Sequence, residues 1–445
     1  MSDVPRLSPL AEMGERLSNL VLSGRRPRGW LPAFVVAVVL AVVFAATISA
    51  VLGLGVGLFG LNVPVAWAFP IVLTIWWVGI AHAGTLISAV LLLTRQRWRT
   101  PIVRMAEAMS MFAIVVAGLF PILHLGRPWF FYYLLPYPST TQLWPQWKSP
   151  LVWDIFAITT YLVFTFCFFY LALLPDFATL RDKARSKAGQ YFYGILALGW
   201  RGRAVEWRRY EQGYFALAFL AAPIVILVTG IISLDLSVSM VPGYHFTIFP
   251  PYFICGALFS GFATVIVIAV TVRWMYGLHD LITPDHIERL AKLMLAFGLV
   301  VNYAYMMEMF TAFYSGLDYY RYVYIDRWTG PYAPFWWSMI VCNVVVLQLV
   351  WFKRVRRSLP AMLCIGIVVD IGMWLERYQI VLTSTHADYM PSSWDVVWPT
   401  VADLGVLVGS IGFFLVMMLI FMRLAPIVSI KESREQMVEG EAGHG

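Results

Sequence analysis

The sequence predicts an all-α polytopic membrane protein with about ten transmembrane helices. Three observations carry that expectation. Of 445 residues, 60% are apolar and 13% are charged, where a soluble domain carries about 25% charged residues. Apolar runs long enough to cross a bilayer recur along nearly the whole chain. Basic residues fall in every second interval between those runs.

The runs cover 31–58, 66–94, 101–124, 151–174, 213–238, 246–274, 289–315, 334–353, 358–385 and 398–424. Each approaches or exceeds the roughly 20 residues that a spanning helix needs, and mean hydropathy is +0.74. The short alternating segments of a β-barrel are absent. The first 29 residues are polar and basic, and the first apolar run is too long for a signal-peptide core, so no cleavable leader is expected. The chain thus divides into a basic segment over 1–29, a membrane domain over 30–424 and a tail over 425–445. Cys167, Cys255, Cys342 and Cys364 all lie inside apolar runs without metal-ligand spacing, and read as small hydrophobes.

A net charge of +7 raises the question of nucleic acid, but the distribution answers it. Arg16, Arg25, Arg26 and Arg28 precede the first run, and Arg95, Arg97 and Arg99 follow the second. Arg181, Lys183, Arg185, Lys187, Arg201, Arg203, Arg208 and Arg209 follow the fourth. Lys353, Arg354, Arg356 and Arg357 separate the eighth from the ninth. The intervals between are poor in Lys and Arg. By the positive-inside rule both termini are cytoplasmic, and nucleic acid is not an expected partner.

An internal repeat is present. From Arg104 in the third run and Arg289 in the seventh, both share Ala, Met, Phe and a Val-Val pair at matching positions. The fourth opens Pro150-Leu-Val-Trp153 and the eighth Pro334-Phe-Trp-Trp337. Gly79 and Gly84 of the second run match Gly256 and Gly261 of the sixth. Three matches in one order predict two four-helix bundles, runs 2–5 and 6–9, in the same orientation. Runs 1 and 10 flank them. Such repeats occur in transporters, though repetition alone does not imply transport.

Ionisable residues inside the membrane are costly and mark function. On this topology His124, Asp154, Asp235, Glu308, Glu376 and Arg377 gather near the outer, non-cytoplasmic surface, with His245 and His386 at outer helix ends. A second set lies deeper: His82, Arg104, Glu107 and Asp370. Plainer readings stand beside these. Arg104 and Glu107 are spaced i, i+3 and fit a simple pair. His82 between small residues fits a packing hydrogen bond. Adjacent Glu376 and Arg377 are expected to face different sides of their helix, one of them snorkelling. His245 and His386 fit ordinary interfacial histidines, and Trp144, Trp147, Tyr319 and Tyr320 fit an aromatic belt. His124 with Asp154 is the strongest candidate, because a His–carboxylate pair is a tuned proton acceptor.

Five stretches together resemble the NrfD/polysulfide-reductase family of membrane subunits. They are Gly79-Ile-Ala-His82-Ala-Gly84, Arg104-Met-Ala-Glu107, His124-Leu-Gly-Arg-Pro128, Met307-Glu308-Met-Phe310, and Met373-Trp-Leu-Glu376-Arg377 with Pro391-Ser-Ser-Trp394. Within the family, the ten-helix length and the last two stretches are most similar to the ActC subunits of alternative complex III, with ActF subunits also similar. The resemblance implies a quinol-binding subunit of the bacterial cytoplasmic membrane, carrying no haem or iron–sulfur cluster of its own. Menaquinol is expected before ubiquinol. Implied partners are an iron–sulfur subunit on the outer face, c-type haem subunits and a homologous NrfD-like membrane subunit. The counterparts of His124 and Asp154 are placed at the quinol head group, and Asp235 and Arg377 are carried over with them. His82, Arg104, Glu107, Glu308 and Asp370 are candidates for a proton path.

Quinol oxidation releases two electrons and two protons, so a site needs acceptors for both hydroxyl protons, an apolar slot and a nearby electron acceptor. The chain offers the first two and requires a partner for the third. Two rival classes remain open. A haem-b anchor needs paired axial histidines at one depth, whereas His82 and His124 differ by roughly half the membrane. A proton or ion transporter favours polar groups at the midplane of broken helices, whereas the main cluster is off-centre.

Overall fold

The computed structural model describes residues 9–66, 69–135, 147–387 and 389–433. Among these, every regular element is helical, and ten helices are long and apolar enough to cross a membrane. This is the all-α polytopic architecture that the apolar runs predict.

Ahead of the first span, α1 (Pro9–Leu22) is amphipathic, with Leu17 and Val21 buried and Arg16 exposed. Arg16 Nη2 reaches Asp280 Oδ1 at 2.8 Å, tying α1 to the loop after the sixth span. The first span is α2 (Trp30–Leu54), followed by α3 (Phe69–Leu93), α4 (Thr100–His124) and α5 (Pro150–Lys183). A short α6 (Lys187–Leu196) precedes α7 (Ala204–Ser237), and α8 (Phe249–Tyr276) and α9 (Pro284–Tyr314) follow. Next come α10 (Asp318–Thr329) and α11 (Ala333–Ile340), which runs on through a π turn (Val341–Val345) and a 3₁₀ turn (Val346–Trp351). The chain closes with α12 (Lys353–Arg356), α13 (Leu359–Thr385) and α14 (Val401–Leu424).

Two differences from the expected boundaries matter for the site. The segment 175–210 is not a long loop: α5 continues past Pro175 to Lys183, and α7 begins at Ala204, nine residues ahead of its apolar run. Both extensions mix charged residues with apolar ones, so hydropathy stops where the helices do not. The interval 315–333 holds α10, whose Val323, Tyr324 and Arg327 are buried.

Helices α3, α4, α5 and α7 form one four-helix unit, and α8, α9, α11 with its continuation, and α13 form the second. The units meet where α3 crosses α8, and glycine permits the approach. A Cβ on Gly261 would stand 1.8 Å from Cβ of Ala83, so no larger residue fits that crossing. Of the four glycines that signal the repeat, Gly79 and Gly261 face the other half, while Gly84 packs on α4 and Gly256 on Arg377. Helices α2 and α14 pair with each other along Gly405, Gly409 and Gly412, which lie against Thr47, Phe44 and Leu40. Beyond α14 the chain does not leave the surface: Ile427, Val428 and Ile430 are buried. There the main-chain N–H of Lys431 donates to Asp176 Oδ1 at 3.3 Å, and Arg99 pairs with Glu432 at 3.0 Å.

Candidate functional site

At the end of the first unit away from the basic segments lie the C-termini of α4 and α7 and the N-terminus of α5. His124 is the last residue of α4, where Gly126 takes the left-handed conformation (φ 71°) and ends the helix. Asp154 lies in the second turn of α5, which starts on Pro150. Asp235 lies in the last turn of α7. The carboxyl groups of Asp154 and Asp235 hydrogen-bond to each other. Such a bond needs one proton between two acids that repel when both are ionised. The Oδ1 atom of each is buried and receives no hydrogen bond from an N–H or hydroxyl donor among the described residues.

Deeper in the same unit, polar groups follow one another along the helix interfaces. His82 Nδ1 shares a 2.7 Å hydrogen bond with Thr229 Oγ1, and its ring lies edge-on to Tyr161 at 4.4 Å. Tyr161 donates to Ala81 O and pairs with the Thr85 hydroxyl, each at 2.7 Å. Glu107 accepts from Ser88 Oγ and Tyr214 Oη, each at 2.8 Å. Arg104 does approach Glu107, at 3.8 Å, but its nearer partners are Asp176 Oδ2 at 2.9 Å and Ala172 O at 2.8 Å. The simple i, i+3 pair is therefore one edge of a triad completed across helices. Asp176 is not legible in the sequence because the apolar run stops at 174, and only the unbroken helix of α5 carries it inward. His82 meets the plain expectation of a packing hydrogen bond, yet its Nε2 is buried without a partner.

The second unit holds a separate network. Glu376 and Arg377, expected to face apart, pair with each other at 2.8 Å, and neither snorkels: both are buried. The Arg377 guanidinium stacks over Phe253 at 4.1 Å and over Tyr252 at 5.7 Å. Gly256 makes its berth, since a Cβ there would stand 2.8 Å from Nη2. Tyr305 donates to Glu376 and accepts from Asn343 Nδ2 at 3.0 Å. Asn343 sits on the π turn, a distortion that recurs at functional sites. Glu308 faces Arg327 at 3.8 Å, and Thr264 donates to Asp370 at 3.1 Å. His386 is buried against Asp326 at 3.1 Å, which corrects its reading as an ordinary interfacial residue; His245 is exposed as expected. The structure thus brings Asp154 to Asp235, and Arg104 to Glu107. It places Arg377, Glu308 and Asp370 in the other unit.

A family model described as polysulphide reductase, NrfD, matches residues 57–387. The chain belongs to the NrfD polysulphide reductase family. No curated protein matches it. The matched stretch begins just after α2 and ends just after α13, so it spans both four-helix units and leaves the α2–α14 pair outside. NrfD proteins are membrane subunits of quinone-linked oxidoreductases, and they typically partner iron–sulfur subunits. This NrfD chain is a multi-pass membrane protein.

Proposed function

We propose that this NrfD chain is the quinol-binding subunit of an alternative complex III-type oxidoreductase in the bacterial cytoplasmic membrane. It takes quinol, menaquinol first, at the outer end of the first four-helix unit. One observation carries the reading: Asp154 and Asp235 share a hydrogen bond there, and no N–H or hydroxyl donor among the described residues reaches the buried Oδ1 of either. A buried acid pair of that kind suits a ligand that donates a hydroxyl hydrogen. His124 ends the neighbouring helix at the same face. When quinol is oxidised, two electrons leave to the iron–sulfur partner and onward to c-type haem subunits. Two protons leave to side chains, His124 taking one and the Asp154–Asp235 pair the other, and are released outward. Arg377, expected to bind quinol, lies in the second unit, held by Glu376 and the Phe253 face. Proton conduction by the buried groups His82, Arg104, Glu107, Glu308 and Asp370 is part of the same proposal, with each unit holding its own set.

The test is turnover. Asp154→Asn keeps size and hydrogen bonding but removes the base, and proton-transfer assistance is typically worth about 10²–10⁴-fold in rate. Quinol oxidation by the assembled complex is expected to fall within that range, and His124→Ala to fall likewise. Native turnover in both assembled variants would make the pair structural and move the site elsewhere.

A further inference from the structure

Between α5 and α7, helix α6 and the turn after it present a surface that the quinol reading does not use. Tyr191, Ile195 and Leu198 follow one another at intervals of four and three residues, the spacing of one helix face. They are 75%, 73% and 71% exposed, with exposed Phe192 beside them. The opposite face is packed against the protein through buried Tyr193 and Ala197. A row of bare apolar side chains marks a surface that something covers. Two hydrogen bonds fix its depth. Tyr170 Oη donates to Leu196 O at 2.6 Å, and Tyr193 Oη donates to Leu424 O at 3.1 Å. Tyr170 lies inside the apolar run of α5, and Leu424 is the last residue of the α14 span. Helix α6 therefore folds back along the final turns of two spans, and Arg181 Nη1 closes the return on Trp200 O at 2.8 Å.

Charge narrows what covers it. From 184 to 205 the chain holds Arg185, Lys187, Arg201 and Arg203 and no Asp or Glu, and all four cations are exposed. Arg203 is engaged by Glu206, while Arg185, Lys187 and Arg201 bracket the apolar row. An apolar face at the depth of a span's end, bracketed by cations, is the pattern of a helix that lies in the membrane interface and favours anionic head groups. We propose that α6 is an interfacial anchor of that kind. Tyr191, Phe192, Ile195 and Leu198 lie among acyl chains, and Arg185, Lys187 and Arg201 meet the phosphates of anionic phospholipid. The anchor holds the return from α5, which carries Asp154 and Asp176, to α7, which carries Asp235.

The experiment uses the full chain in nanodiscs of phosphatidylglycerol and phosphatidylcholine, of which one at a time carries a diazirine on its acyl chain. After irradiation, labelled residues are mapped by mass spectrometry. Label is expected on residues 191–198, with a higher yield from phosphatidylglycerol. Each basic residue near an anionic surface contributes about fivefold, so Arg185→Gln with Lys187→Gln and Arg201→Gln is expected to bring the ratio of the two yields to about one. Arg185→Lys with Arg201→Lys keeps the charge and is expected to keep the excess. Ile195→Asp with Leu198→Asp, also at exposed positions, is expected to abolish the label. Absence of label on 191–198 of the native chain, equal yields from the two lipids there, or an excess that survives charge removal would overturn the anchor. So would a label that disappears when the chain is assembled in its complex, since a partner protein would then cover the row. The native-chain outcomes decide even where a variant does not fold.

Discussion

Arg104 shows what a single charge does in this bundle. It is buried at 2.9 Å from Asp176 and 3.8 Å from Glu107, so its removal strands two carboxyl groups in one dry place. Breaking a buried ion pair from one side costs about 3–5 kcal/mol. Arg104→Ala is therefore expected to lower the thermal midpoint sharply or abolish folded yield, measured by melting in detergent. An unchanged midpoint would mean that water, not Arg104, satisfies the pair. Asp235→Asn is expected to behave differently. The amide still donates to Asp154, so melting should be close to native while quinol oxidation by the complex falls. A large loss of stability with native turnover would reverse that assignment. Arg104, Glu107, Asp154 and Asp235 were legible because a charge in an apolar run stands out. Their partners were less so. Asp154 meets Asp235 across two helices, and linear spacing holds no information about which side chains of different helices touch.

The helix crossings divide in the same way. The repeated glycines announce close packing, and the structure shows where: Gly261 against Ala83, where an added methyl would overlap at 1.8 Å. Overpacking a filled contact costs about 1–3 kcal/mol and sometimes more, so Gly261→Leu is expected to separate the two units and cut folded yield. Gly230 on α7, by contrast, would present an added methyl to open space, with nothing within 4 Å. There Gly230→Ala should gain about 0.5–1 kcal/mol from helix propensity. Equal melting of the two variants would contradict the crossing. The apolar ends of the spans were legible to within a few residues, because desolvation fixes them. The polar ends of α5 and α7 were not, since an extension rich in charged residues carries no apolar run. Nor was α10, where Arg327 lies in a polar interval of the sequence yet folds back to Glu308, its guanidinium over the Tyr324 ring at 4.7 Å.

At the scale of the molecule, the Lys- and Arg-rich intervals gather at one end of the bundle. Reporter fusions at 197–203 and in the tail 430–445 are expected to read cytoplasmic, and those in 125–150 and 318–332 external. Residues 136–146 of that outer interval, Trp144 among them, and 434–445 of the tail lie outside the described residues. A cytoplasmic signal from 125–150 would put His124 and Asp154 on the wrong face. The end away from the basic segments also exposes Trp129, Phe131 and Tyr133, with Tyr322 stacked on Trp394 at 5.1 Å. Aromatic surface of that kind suits a protein interface, so crosslinkers placed there are expected to capture the iron–sulfur subunit. Capture of lipid alone would count against electron transfer through that face. The most direct measurement is where quinone binds. An azido-quinone photolabel on the intact complex is predicted to mark peptides containing His124, Asp154 or Asp235. Labelling confined to the second unit, around Glu308 and Arg377, would contradict a site at the outer end of the first.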